Sequence, residues 1–282
     1  MSPELLNYLI SELNLDVVGG KIAKTRANIA RITQSMDLFR EFLLNPENSP
    51  YVSAVRSFSA EFETQRQLTT GMLSAFGQVP SSAEVVWAAG RARSIELLLG
   101  NSMQSEFLGA ISDTLVNSVQ TGSSFRDMTI RLTQVFNGDG QVEGKLLNWS
   151  KQVAHDRFAM TDRAFANDAY ETMDIEWYRY VGGKIDQTRC FCDNRNNQYY
   201  HREEIASWGR GENIGDCATN NGWAGRMQGT NESTIFIMLG GYRCQHSIVP
   251  ASTIEVPREK LLEAIQKGWW TPTEFEKTEL NL

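Results

Sequence analysis

The chain is poor in the residues that carry chemistry. Its 282 residues hold three histidines and four cysteines, and the first 189 contain no cysteine and a single histidine, His155. So few cysteines exclude a disulfide-rich secreted scaffold and point to synthesis in a reducing cytoplasm. No apolar run reaches the 18 or more residues of a membrane span. The longest such runs, Ile235–Leu239 among them, have the length of a buried strand. The Met-Ser-Pro-Glu-Leu-Leu start has neither a basic stretch nor an apolar core, so no secretory signal is expected. Positive charge is scarce too. The formal net charge is −7, the pI about 5.2, and no Lys/Arg run occurs, which argues against sequence-specific nucleic-acid binding. The chain also lacks Gly-x-Ser-x-Gly, a Walker loop, a dinucleotide fingerprint and His-Glu-x-x-His. With no assembled catalytic constellation, the expectation is that the protein is not an enzyme.

What is present falls into two parts. Residues 1–174 read as helix after helix. Ile22, Ile29, Ile32, Met36, Phe39 and Leu43 form a heptad-like seam closed by Pro46. Val55, Phe58 and Phe62 continue the stripe, and Gln65 and Thr69 then interrupt it, which fits an intramolecular bundle better than a long coiled coil. Gly77–Pro80 is a break. Ser81-Ser82-Ala83-Glu84 resembles a capping box that opens a helix to about Leu99. Phe107, Ile111, Leu115 and Val119 make another stripe, closed by Gly122. Ser124 precedes a short helix through Met128, Leu132 and Val135, and Asn137–Gly140 is a turn. Residues 142–173 form the longest uninterrupted helical stretch.

The pattern changes at Ile175. Residues 175–256 read as a small α+β module, with strands at Trp177–Val181, Gln198–Tyr200, 234–239 and 243–250 and a short helix at Arg202–Trp208. Residues 257–282 read as an amphipathic helix opened by Pro257, carrying Leu261, Leu262 and Ile265 and ending at Gly268, then an extended polar tail. The fold class expected is therefore α+β, a mostly helical N-terminal region followed by a small α+β C-terminal module.

The chemistry-bearing residues concentrate in that module. Cys190, Cys192, Cys244 and His246 lie within 57 residues. Zinc takes four tetrahedral ligands, usually Cys and His, and these four residues supply them as two pairs with one residue between partners. Residues two apart on a strand point the same way, so each pair could converge from one strand edge. The spacing is shorter than in most zinc sites. The same residues also fit cysteines packed as small apolar side chains beside a hydrogen-bonded His246, or one Cys–Cys bridge formed after cell lysis. Cys217, in a polar Gly/Asn-rich loop, is the expected spare thiol. Cys244 with His246 or His201 can be drawn as a nucleophile and base, but a two-residue offset on one strand is a poor basis for that contact.

Taken in order, the segments Trp177–Val181, Asp186–Cys192, Asn197–Trp208, Trp223–Gly229 and Gly240–Pro250 resemble the phage head morphogenesis family, the minor head proteins typified by protein F of phage Mu. The preceding helix, with Thr161, Arg163 and Asn167, is similar to that family's polar helix. The resemblance covers about residues 150–256. Many relatives close on Cys-Arg-Cys where this chain has Cys244-Gln245-His246. The resemblance implies a structural minor head protein of a tailed phage, made in the host cytoplasm and carried in the virion head or portal vertex. Its implied partners are the portal protein and/or the major capsid protein, with homo-oligomers also compatible. The role implied is in head assembly, DNA packaging or delivery. The alternatives are a zinc-stabilised protein-binding module unrelated to phage, and a toxin-like effector enzyme.

Overall fold

Helix covers most of the N-terminal half because its apolar residues recur every three or four positions and proline is confined to breaks. The computed structural model describes residues 3–47, 49–74, 81–139, 141 and 143–280. Gly77–Pro80 and Gly140 of the expected turns lie outside them. The fold is α+β, predominantly helical with small antiparallel sheets, and it divides into two compact units.

The first unit comprises Met1–Thr64 and Arg91–His155. In chain order its elements are α1 (Pro3–Glu12), the two-residue strands β1 (Val17–Val18) and β2 (Lys21–Ile22), α2 (Arg26–Leu44), most of α3 (Pro50–Ser74), the end of α4 (Ala83–Leu99), α5 (Asn101–Met103), a π-turn at Gln104–Leu108, α6 (Gly109–Thr121), α7 (Phe125–Asn137) and the start of α8 (Lys145–Thr172). The expected stripes face its core. Ile32, Phe39 and Leu43 of α2 meet Phe107, Ile111, Leu115 and Val119, with Met128 and Leu132 of α7. Thr25 and Ser124 cap α2 and α7 through their hydroxyls, and Gly122 ends α6 in the left-handed conformation.

The second unit comprises Gln65–Gly90 and Asp156–Leu282. Along the chain α8 ends at Thr172, Asp174 takes a φ of 51°, and β3 (Trp177–Val181) follows. The compact units are nevertheless divided elsewhere, because Gln65 and Trp87 pack against the second half of α8, and that helix is tied to the C-terminal module. Gln65 donates to Asp162, Trp87 meets Phe158 and Phe165 edge-on or tilted, and Arg163 donates to carbonyls at Ile237 and Cys244. The polar break at Gln65 in the α3 stripe is thus a helix–helix hydrogen bond.

After β3 come α9 (Cys190–Asp193), β4 (Tyr199–His201), α10 (Arg202–Arg210), a 3₁₀ turn at Gly215–Cys217, β5 (Ala218–Thr219), β6 (Gly222–Trp223), α11 (Ile235–Met238), β7 (Ser247–Pro250), α12 (Arg258–Gln266) and α13 (Glu274–Glu279). The main sheet is antiparallel with order β4-β3-β7, pairing Tyr178 with Tyr200 and Tyr180 with Ile248. Successive strand residues face opposite sides. Tyr178 and Tyr180 therefore enter the main core with Phe191, Trp208 and Trp223, while Trp177 packs on the other face against Val256, Leu261, Ala264 and Trp270.

Several strand expectations are corrected. Residues expected as a strand over 234–239 hold the one-turn helix α11 (Ile235–Met238), because the side chain of Asn231 accepts from the backbone of Ser233 and Thr234 and starts a helical turn. A short buried apolar run does not reveal its period. Cys190 and Cys192 lie on helix α9, so the two-residue strand argument does not apply to them. The strand expected over 243–250 begins only at Ser247. The tail expected to be extended contains α13, held by a capping box between Thr273 and Glu276. No helix among the described residues is long and apolar enough to cross a membrane.

Candidate metal centre

Three of the four residues anticipated as ligands converge. Cys192, Cys244 and His246 are all buried, and their ligand atoms lie within 4.8 Å of one another. The two sulfurs are 3.8 Å apart. Zinc–sulfur bonds of about 2.3 Å at a tetrahedral angle place two thiolates about 3.8 Å apart, so the pair is already spaced for one ion. His246 is 3% exposed, and its Nε2 has no hydrogen-bond partner. A buried polar atom left without a partner is costly, and a metal bond would relieve it. These residues fit a zinc-class ion.

Cys190 does not join them. It is bonded to Cys217, with the Cα atoms 5.6 Å apart. The expectation of Cys190 as a ligand and of Cys217 as the spare thiol is therefore corrected. Helix α9 explains why: one residue between partners on a helix sets their side chains on different faces. Cys190 is exposed and reaches the 3₁₀ turn, while Cys192 is buried beneath β3.

Glycine makes room for the cluster. A Cβ on Gly240 would lie 2.2 Å from Cys192 Sγ and 3.0 Å from Cys244 Sγ. One on Gly182 would lie 2.5 Å from His246 Cδ2. Nothing local in the sequence assigns either glycine to this cluster. Tyr180 reads only as a strand aromatic, yet its hydroxyl is 3.3 Å from Cys192 Sγ and 3.9 Å from Cys244 Sγ. Its ring stacks on His246 with centroids 5.3 Å apart. No local pattern in the chain announces these roles, because each depends on the packing of β3 against the Gly240–His246 turn.

The two thiols differ electrostatically. Cys192 is held well above the ordinary thiol range, chiefly because it donates to Cys244 and also because it is buried. Cys244 is drawn below that range as the acceptor of that bond, with further help from His246 and the charge of Arg163. Burial raises the Tyr180 hydroxyl. Arg163, buried on α8, fixes the turn by donating to the Cys244 carbonyl at 2.6 Å and the Ile237 carbonyl at 3.2 Å. The Asp156 carboxylate accepts from the backbone of Arg243 at 2.6 Å. Cys192, Cys244 and His246 themselves line a cavity of about 270 Å³, together with Thr188, Arg189 and Gln245.

His201, the other histidine of the module, lies apart from this cluster's ligand set. Its Nδ1 accepts from the backbone of Glu203 and caps α10, and its ring packs edge-on against Trp177. Burial, and then the charge of Arg202, depress its pKa to about 4. It is a structural histidine.

No protein-family model, no curated protein and no solved structure matches this chain.

Proposed function

We propose that this protein is a structural minor head protein of a tailed phage, working by contact with portal and/or major capsid protein, and that zinc is held by Cys192, Cys244 and His246 to stabilise its C-terminal unit. The observation that carries this reading is where the chemistry sits. The cysteine–histidine cluster is buried under the sheet and turn segments on which the phage-head resemblance rests. Buried cysteine and histidine ligands suit a structural site, which helps a small unit to fold. The partner surfaces then belong to helical faces. Leu68 and Met72, four residues apart on α3, are 60% and 68% exposed, and exposed apolar positions on one helix face mark protein contacts.

The test is incorporation into particles. Leu68→Glu and Met72→Glu leave the fold intact, because surface changes usually stay within about 0.5 kcal/mol. If α3 meets a virion partner, the double variant is depleted from purified heads while its circular dichroism is unchanged. Loss of the gene impairs head assembly, packaging or infectivity. Normal infectious particles lacking the protein would overturn the proposal, as would substrate turnover that disappears in Cys244→Ala.

A further inference from the structure

With Cys190 committed to Cys217, the cluster has three ligands where a structural zinc site needs four. An oxygen lies beside the two sulfurs. Tyr180 Oη, Cys192 Sγ and Cys244 Sγ form a triangle with sides of 3.3, 3.9 and 3.8 Å. The circle through those three atoms has a radius of about 2.1 Å, and zinc bonds run about 2.3 Å to sulfur and about 2.0–2.2 Å to oxygen. An ion close to the plane of the triangle therefore reaches all three atoms at bonding distance. The imidazole of His246 stacks alongside the Tyr180 ring, and its ligand nitrogen lies within 4.8 Å of both sulfurs. The Cβ that Gly240 lacks would stand 2.2, 3.0 and 3.5 Å from the same three atoms, so glycine keeps the face they share clear.

We propose that Tyr180 is the fourth ligand, giving a closed Cys₂-His-Tyr zinc site in place of the Cys₃-His set that spacing suggested. This rests on the zinc reading of the cluster. Binding through two thiolates, a phenolate and neutral His246 displaces the S–H and O–H protons to solvent and leaves the site with one net negative charge. The positive charges of Arg163 and Arg189 act on Cys244 and Cys192 respectively and offset it. The simpler role for the hydroxyl is that of hydrogen-bond donor to the Cys192 sulfur, with water as the fourth ligand.

The experiment uses the full chain, stripped of metal with a chelator and without thiol reductant so that the Cys190–Cys217 bridge persists. Zinc is added to the wild type and to Tyr180→Phe in weakly buffered solution, reading bound zinc, released protons and the near-ultraviolet difference spectrum. The proposal expects one zinc per chain, a tyrosinate band that grows with zinc in the wild type and is absent from Tyr180→Phe, and one proton fewer released by the variant. The variant should also bind at least tenfold more weakly. Zinc binding by the wild type with no tyrosinate band and equal proton release would assign Tyr180 to hydrogen bonding and overturn the proposal while leaving the zinc site standing. Binding only after reduction of the Cys190–Cys217 bridge would instead restore Cys190 as the ligand. No zinc uptake under either condition would overturn the zinc reading itself.

Discussion

Replacing Cys217 with serine removes the bridge to Cys190 and releases a loop closed over a sequence separation of 27. That loop carries β4 and α10, with Tyr200, Ile205 and Trp208 of the main core. In the chain-entropy account a loop of this length is worth about 3.5 kcal/mol. The serine adds a smaller cost of its own: Cys217 is buried in the main core, but the Asn194 amide that donates to its sulfur at 3.2 Å can donate to a hydroxyl instead. At about 2–4 °C per kcal/mol for a unit of this size, the midpoint should fall by about 7–14 °C. Every tryptophan but Trp149 lies in the second unit, so tryptophan fluorescence follows that unit. Thiol alkylation supplies an independent readout. The wild type, denatured without reductant, should label at Cys192 and Cys244 only, and Cys217→Ser should gain an exposed, native-state reactive thiol at Cys190. Four reactive thiols in the unreduced wild type, or a midpoint unmoved by the substitution, would refute the reasoning.

Three further perturbations follow from the same geometry. Gly240→Ala forces a Cβ against Cys192 Sγ and should destabilise the second unit by about 1–3 kcal/mol in urea titration and abolish zinc uptake, whereas Gly183→Ala, whose Cβ would meet nothing within 4 Å, should change neither. Arg163→Met strips a buried carbonyl at Cys244 and a part-buried one at Ile237 of a charged donor and should cost about 3 kcal/mol in the same assay. The depressed His201 pKa of about 4 means that the unfolded chain takes up a proton near pH 6.5 and the folded chain does not. Stability should therefore decline as pH falls from about 6.5 towards 4, by up to about 3 kcal/mol. His201→Asn keeps a capping side chain but cannot titrate, and should flatten that slope.

The helical stripes were legible because each alone implies its buried face. Phe107, Ile111, Leu115 and Val119 repeat at helical spacing, and no distant residue was needed to interpret them. Capping at Ser124 and termination at Gly122 are equally local. The Ile235–Met238 segment was not legible, because four apolar residues in a row fit either period and the side chain of Asn231 decides between them. The candidate centre was half legible. Clustering of cysteine and histidine pointed to Cys192, Cys244 and His246. Which cysteine drops out depends on α9 being a helix, and which aromatic stands beside the sulfurs depends on the register of β3 beside the Gly240–His246 turn. The grouping of Gln65 and Trp87 with the second unit rests on contacts to α8 such as Gln65 with Asp162, made between residues 97 apart, and no periodicity along the chain records them.

The reading of this protein as a structural component of the phage head meets its most direct test in quantitative mass spectrometry of purified particles. The chain should be present in DNA-filled heads, at a fixed ratio well below one per major capsid protein, and should remain after washing in high salt. Its absence from particles made by cells that express it would contradict the account.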